Sequence, residues 1–292
     1  MKAIFLAILL VACMAEPLIK KELIEELKQK ASWQVTEYEE NLFKGVTSEE
    51  VEESQILSEA DAEVYPEHEV KQNTPSEVNW QGASCMHPIK SQGDECAAAS
   101  FAFAVAGMAS DRCCLKGTDH GWLSPMELLS CDKSNYGCAG GWPLDAVNYT
   151  ANNGLVEDAC YPYTGRNEPC PLKCKNGKEW NTTHVCKCSN PTAIKTYDEL
   201  KSSLTNGPVV VTFEAFEDFY LYKAGIYCHT AGKFKRLVSG RVVAYNDTTT
   251  PPHLTLAMSF GTTWGEQGFI RMCNSCCGMF GKYSKGNVAC NY

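Results

Sequence analysis

The stretch Ser91-Gln92-Gly93-Asp94-Glu95-Cys96-Ala97-Ala98-Ala99-Ser100-Phe101-Ala102-Phe103 decides the architecture. A polar loop holding a glycine and a cysteine gives way to 97–112, where most residues are Ala, Phe, Val or Met. A run that is apolar on every side predicts a buried central helix rather than an amphipathic surface one. Ser124-Pro125-Met126-Glu127-Leu128-Leu129 predicts a second helix, with Ser124 as its cap and proline in its first turn. Leu144 to Asn153 predicts a third, stopped by Gly154. Past Pro208 the period changes, and 209–213, 241–245, 254–260 and 269–272 read as strands. Helices first and strands later describe an α+β chain with two lobes.

Upstream, Lys2, the apolar run 3–12 and Cys13-Met14-Ala15 read as a signal peptide over residues 1–15, too short to span a bilayer. Residues 16–74 form a distinct segment. It opens with an amphipathic helix over 18–31 and continues into an acidic connector over 49–69. Sixteen acidic residues face six lysines there, whereas 75–292 carries nineteen of each sign. The net charge of −9 therefore belongs to the N-terminal segment, and the neutral body excludes a nucleic-acid footprint. No later stretch is apolar enough to span a membrane. Of seventeen cysteines, Cys13 leaves with the signal, and the remaining even number argues for a disulfide framework in the secretory pathway, extracellular or lysosomal. Sequons at Asn148, Asn181 and Asn246 permit glycosylation.

Gln92-Gly93, a cysteine and Phe101-Ala102-Phe103 resemble the active-site segment of papain-like cysteine peptidases, Q-G-x-C-G-S-C-W-A-F. Ser110-Asp111-Arg112 is similar to cathepsin B in particular. Leu128 to Cys131, Gly137 to Pro143, Cys160 to Tyr163, Asn206 to Val209, Tyr222 to Tyr227 and Trp264 to Phe269 follow in the family's order. Trp33, Tyr38 and Asn41-Leu42-Phe43 resemble its short propeptide. The resemblance implies a two-lobed papain-like fold, a helical left lobe and a β-barrel-like right lobe, with propeptide 16–74 and peptidase domain 75–292. It implies a monomer whose partners are its own propeptide and an extended peptide or protein in the cleft, with no cofactor.

Peptide hydrolysis in this family needs a thiolate, an imidazole to activate it, an amide to orient the imidazole, and an oxyanion hole. Alignment back from Phe101 puts Ser100 at the nucleophile position, and the loop from Gln92 to Phe103 is two residues longer than the family's. Val238 falls at the histidine position, Met258 at the asparagine position and Phe260 at that of the shielding tryptophan. Gln92 keeps the oxyanion position. His253 comes too late in the chain to be the base, and His87, His120, His184 and His229 match no catalytic position. Loss of a nucleophile–base unit costs roughly a million-fold in turnover in a comparable hydrolase. This favours a non-catalytic pseudopeptidase. The alternatives are a peptidase using Cys96 as nucleophile, and a disulfide-rich structural or matrix protein.

The resemblance also implies the pairs Cys85–Cys114, Cys96–Cys138, Cys131–Cys170 and Cys160–Cys174. Cys113, Cys186, Cys188, Cys228, Cys273, Cys276, Cys277 and Cys290 have no assigned partners. The spacing Cys273-x-x-Cys276-Cys277 suits zinc, but disulfides are favoured in an oxidising compartment and no metal is expected. Between Cys160 and Cys170 lie nine residues and no histidine, so the occluding loop of cathepsin B is missing. Gly140 and Gly141 stand where the family bonds a peptide backbone, with Trp264 as a further substrate-binding candidate. The glycines equally suit a plain turn.

Overall fold

The computed structural model describes residues 15–52, 70, 73–180, 183–280, 283 and 285–292. Residues 1–14 of the expected signal peptide, most of the acidic connector and Asn181 lie outside the described residues. The N-terminal segment supplies α1 (Lys21–Lys30), β1 (Gln34–Val35) and α2 (Ser48–Glu52). A short β2 (Glu77–Asn79) precedes three helices, α3 (Ser100–Leu115), α4 (Pro125–Ser130) and α5 (Pro143–Asn153). Then come β3 (Thr192–Ala193), α6 (Tyr197–Leu204), β4 (Val209–Phe216), β5 (Tyr222–Ala224), β6 (Ile226–Tyr227), β7 (Phe234–Asn246), β8 (His253–Ala257), β9 (Phe269–Cys273) and β10 (Val288–Ala289).

Two apolar cores separate the lobes. One gathers α3, α4 and α5 around Phe101, Val105, Met108 and Leu128. The other lies on the sheet and includes Phe213, Phe219, Leu256 and Ile270. The sheet runs β3-β10-β4-β7-β8-β9-β6, with β2 added against β7, an open path rather than a closed barrel. α3 is buried along its whole length to Cys113, as its uniformly apolar sequence requires. It begins at Ser100, three residues after the apolar run starts. The Ser124 hydroxyl caps α4 by accepting from Glu127 N at 3.1 Å, and Gly154 ends α5 at φ 80°.

Ser110-Asp111-Arg112 joins the lobes. Ser110 Oγ donates to Ala106 O and accepts from Leu123 N. Asp111 pairs with Arg241 of β7 at 2.6 Å, while Arg241 also donates to the His87 carbonyl. Arg112 donates to the carbonyls of Pro208, Cys290, Ser203 and Gly207 at 2.5–3.2 Å. Burial pushes its guanidinium down to about 10.

The N-terminal segment is part of the second core. Leu18, Ile24, Leu27, Trp33 and Phe43 are buried against it, each contributing about 1.5–3 kcal/mol gross. β1 pairs antiparallel with β5. The Trp33 indole donates to Cys228 O at 3.0 Å and Asn41 Nδ2 to Tyr220 O at 3.0 Å. A buried ion cluster adds polarity to this junction: Glu217 meets Lys20 at 3.1 Å and Lys235 at 3.3 Å, and Lys235 also meets Glu52.

Disulfides join Cys85–Cys114, Cys96–Cys138, Cys131–Cys170 and Cys160–Cys174. Two further bridges, outside those the resemblance implies, are Cys113–Cys186 and Cys188–Cys290. Each bridge typically contributes about 2–4 kcal/mol. No helix among the described residues is long and apolar enough to cross a membrane.

Candidate functional site

The site lies where the first turn of α3 meets the middle of β7. Ser100 opens α3, and its Oγ accepts the backbone N–H of Ser239 at 3.1 Å. That contact places Val238, the neighbour of Ser239, beside the helix start. The Val238 side chain packs in the sheet core, opposite Phe213 in the β4–β7 register. Met258 follows β8 directly and fills the space over β7: a Cβ on Gly240 would meet its sulfur at 2.8 Å. The three positions come together in space, and two of them are apolar and buried. An alkyl group neither accepts a proton from Ser100 nor orients a group that could.

Gln92 is close by, but its carboxamide is turned inward. Oε1 accepts from Ser259 Oγ at 2.5 Å, and Nε2 donates to the carbonyls of Ala97 (2.6 Å) and Cys96 (3.4 Å). Carbonyls only accept, so this pattern fixes which end of the amide is which. The expected oxyanion donor is therefore used internally. Cys96 is bonded to Cys138 and buried, so it is no free thiol and the nucleophile assigned to it as an alternative is absent.

The histidines have other work. His253 pairs with Asn246 in the β7–β8 register, seven residues along β7 from Ser239, or roughly 23 Å. Its Nδ1 lies 2.8 Å from Thr249 Oγ1, and burial lowers its pKa. His87 bonds Asp111, His184 bonds buried Glu127, and His229 bonds Asp218 while stacking on Phe216. His87, His184 and His229 are thus each paired with a carboxylate.

Trp264 also departs from its expected place. It is 3% exposed and packs on Phe219, Phe260 and Tyr222 at 5.2–5.6 Å between centroids, as core rather than cleft wall. Gly140 has φ 111°, a value that favours glycine. A Cβ on Gly141 would meet Asn135 Oδ1 at 2.4 Å and Phe101 Cζ at 2.7 Å, so close packing alone requires that glycine. Asn148 is half-buried on α5, and the Asn246 amide donates to Glu77 and accepts from Thr248.

Between the site and the N-terminal segment lies a cavity of about 780 Å³. Gln92, Ala97, Cys138 and Phe260 line one side, and Leu42, Phe43, Glu50 and Val51 the other. Phe43 covers its edge, meeting Phe260 and Tyr220 edge-on at 5.4 and 4.9 Å. Among the described residues, 42–51 border the cleft and leave this space beside Gln92. Sequence reasoning missed this space because it depends on how far residues 41–51 stand from the Gln92 loop.

The sequence pattern of papain family cysteine proteases matches residues 74–286. The chain is 30% identical to a gut-specific cysteine proteinase of Caenorhabditis elegans over 222 residues, covering 68% of this chain and 67% of that protein. It is 28% identical to cathepsin B of Dictyostelium discoideum over 220 residues, 70% of each. Its fold is similar to that of procathepsin B S9 from Trypanosoma congolense, with a TM-score of 0.80 at 23% identity, over 94% of this chain and 99% of that one. The match starts just before β2 and runs through the helical lobe and nearly all of the sheet; the chain belongs to the papain family of cysteine proteases, and within it is cathepsin B-like.

Proposed function

We propose that this chain is a non-catalytic member of its family that holds an extended peptide or protein segment in its cleft. In the described structure the chain's own residues 42–51 border that cleft. The carrying observation is that Ser100 faces a backbone donor, Ser239 N–H, beside buried Val238 and Met258. A serine hydroxyl without a base has no useful nucleophilicity. Binding asks less than catalysis: a concave space with apolar and polar walls and backbone partners suffice. The cavity beside Phe43 and Phe260 supports that reading. Six disulfides among the described residues support passage through the oxidising secretory pathway, with 1–15 as the signal and 16–74 as a propeptide. Asn148 and Asn246 are then the glycosylation candidates among the described residues.

The test is to nick the purified chain within the connector 53–69 and follow the N-terminal fragment. It is expected to co-purify with the body, to be displaced by excess extended peptide, and neither it nor the peptide to be hydrolysed. A fragment that dissociates on nicking, leaving a body that takes up no peptide, would make the cleft a relic and the chain a structural protein.

A further inference from the structure

Outside the cleft, four cysteines among the described residues carry no bridge: Cys228, Cys273, Cys276 and Cys277. They are far apart in sequence and together in space. β6 and β9 pair in parallel with Tyr227 opposite Met272, so the next residues, Cys228 and Cys273, lie side by side at about 4.8 Å between strands. A turn closed by Cys276 N and Cys273 O then folds Cys276 back over both strands. Its sulfur lies 3.2 Å from Cys273 O and 3.9 Å from Tyr227 O. The segment carrying Cys228 is held in place by buried Asp218, which accepts from Tyr227 Oη at 2.6 Å and from the backbone of Thr230 and Ala231. Cys228 and Cys276 are partly exposed, whereas Cys273 and Cys277 are buried.

We propose that Cys228 and Cys276 form a thiol–disulfide exchange site, with Cys228 attacking external low-molecular-weight disulfides of the glutathione class and Cys276 resolving the product. The Cys228 thiolate attacks one sulfur of the external disulfide. That S–S bond breaks, the departing thiolate takes up a proton, and a mixed disulfide stays on Cys228. Cys276, losing its proton to solvent, then attacks the Cys228 sulfur and expels the second thiol. The net change is two protein thiols oxidised to one disulfide and one external disulfide reduced to two thiols.

The two sulfurs differ in the way this division of labour needs. Contact with the Cys276 sulfhydryl, outweighing burial, holds the Cys228 thiol down at about 6. Contacts with Cys228 first, and then with Cys273 and Cys277, push Cys276 up. Oxidation of Cys228 removes the first of those influences and frees Cys276 to act second.

The full chain, poised first with reduced glutathione, is treated with oxidised glutathione, alkylated and mapped by mass spectrometry. The wild type is expected to give a Cys228–Cys276 cross-link with two glutathione thiols released per chain. Cys276→Ser is expected to stop at a single glutathione adduct on Cys228, with the six bridges unchanged. Wild-type mapping alone keeps the proposal testable if the variant fails to fold. A Cys228 that stays alkylatable, a cross-link from Cys228 to Cys273 or Cys277 in place of Cys276, or a retained zinc ion protecting the four thiols would overturn it.

Discussion

The backbone N–H of Ser239 donates to the Ser100 hydroxyl across 3.1 Å, at the point where the first turn of α3 touches β7. A nucleophile is activated by an acceptor for its proton; here the nearest strand offers a donor, and the adjacent side chain is Val238. Met258 extends the apolar surface and Gln92 gives its amide to the Cys96 and Ala97 carbonyls. On the proposed reading, the papain-like scaffold is kept around Ser100, Val238 and Met258 while the catalytic unit is not.

Trp33 anchors the N-terminal segment through its indole bond to Cys228 O and its packing 5.1 Å from Tyr227. Trp33→Ala is expected to cost about 3–5 kcal/mol, at least a hundredfold in docking. Limited proteolysis of residues 16–52 is the readout, with cleavage accelerating while the body stays resistant.

Acid is expected to weaken that docking before it affects the body. Burial raises the Glu217 pKa, but the Lys233 N–H and the ammonium groups of Lys20 and Lys235 outweigh it and hold it below its ordinary 4.5. Such a carboxylate contributes stability above 4.5 that is lost as pH falls through its lowered value. His87 and His184 run the other way. Hydrogen bonds to Asp111 and Glu127 respectively raise them above 6.5, so their contribution is complete below 6.5 and lost as pH rises through the raised values. Protease sensitivity of the segment should increase below about pH 4.5, while thermal stability of the body declines as pH rises above 6.5.

Arg112→Met removes the donor to four buried carbonyls without leaving a large void. Unsatisfied buried acceptors make this expensive, about 3 kcal/mol or more, visible as a lower denaturant midpoint.

Gly141→Ala is expected to destabilise by about 1–3 kcal/mol through overpacking against Asn135 and Phe101, and calorimetry should show a lower Tm even with no peptide present.

Much of the fold is legible in the residues. The all-round apolar run marks α3, and the Ser124 and Gly154 signals bound α4 and α5. α6 carries a capping box at Thr196 and Glu199, a local signal outside the helices expected from the sequence. β7 was read only over 241–245 because Lys235, Arg236, Ser239 and Gly240 break its apolar pattern. Lys235 is nonetheless buried, paired with Glu52 and Glu217, an arrangement made by tertiary contacts alone. The same applies to Cys113–Cys186, Cys188–Cys290 and the two-residue β1–β5 pairing, whose partners lie too far apart in the chain for a local signal. At the site, Ser100, Val238 and Met258 could be placed by alignment, but the inward turn of Gln92 and the core position of Trp264 depend on packing.

The most direct measurement is hydrolysis of fluorogenic peptides by the purified chain after nicking at the connector, across pH 4–8 and beside Ser100→Ala. The account expects both proteins to match the buffer rate at every pH. A pH-dependent turnover in the wild type that Ser100→Ala abolishes would contradict it.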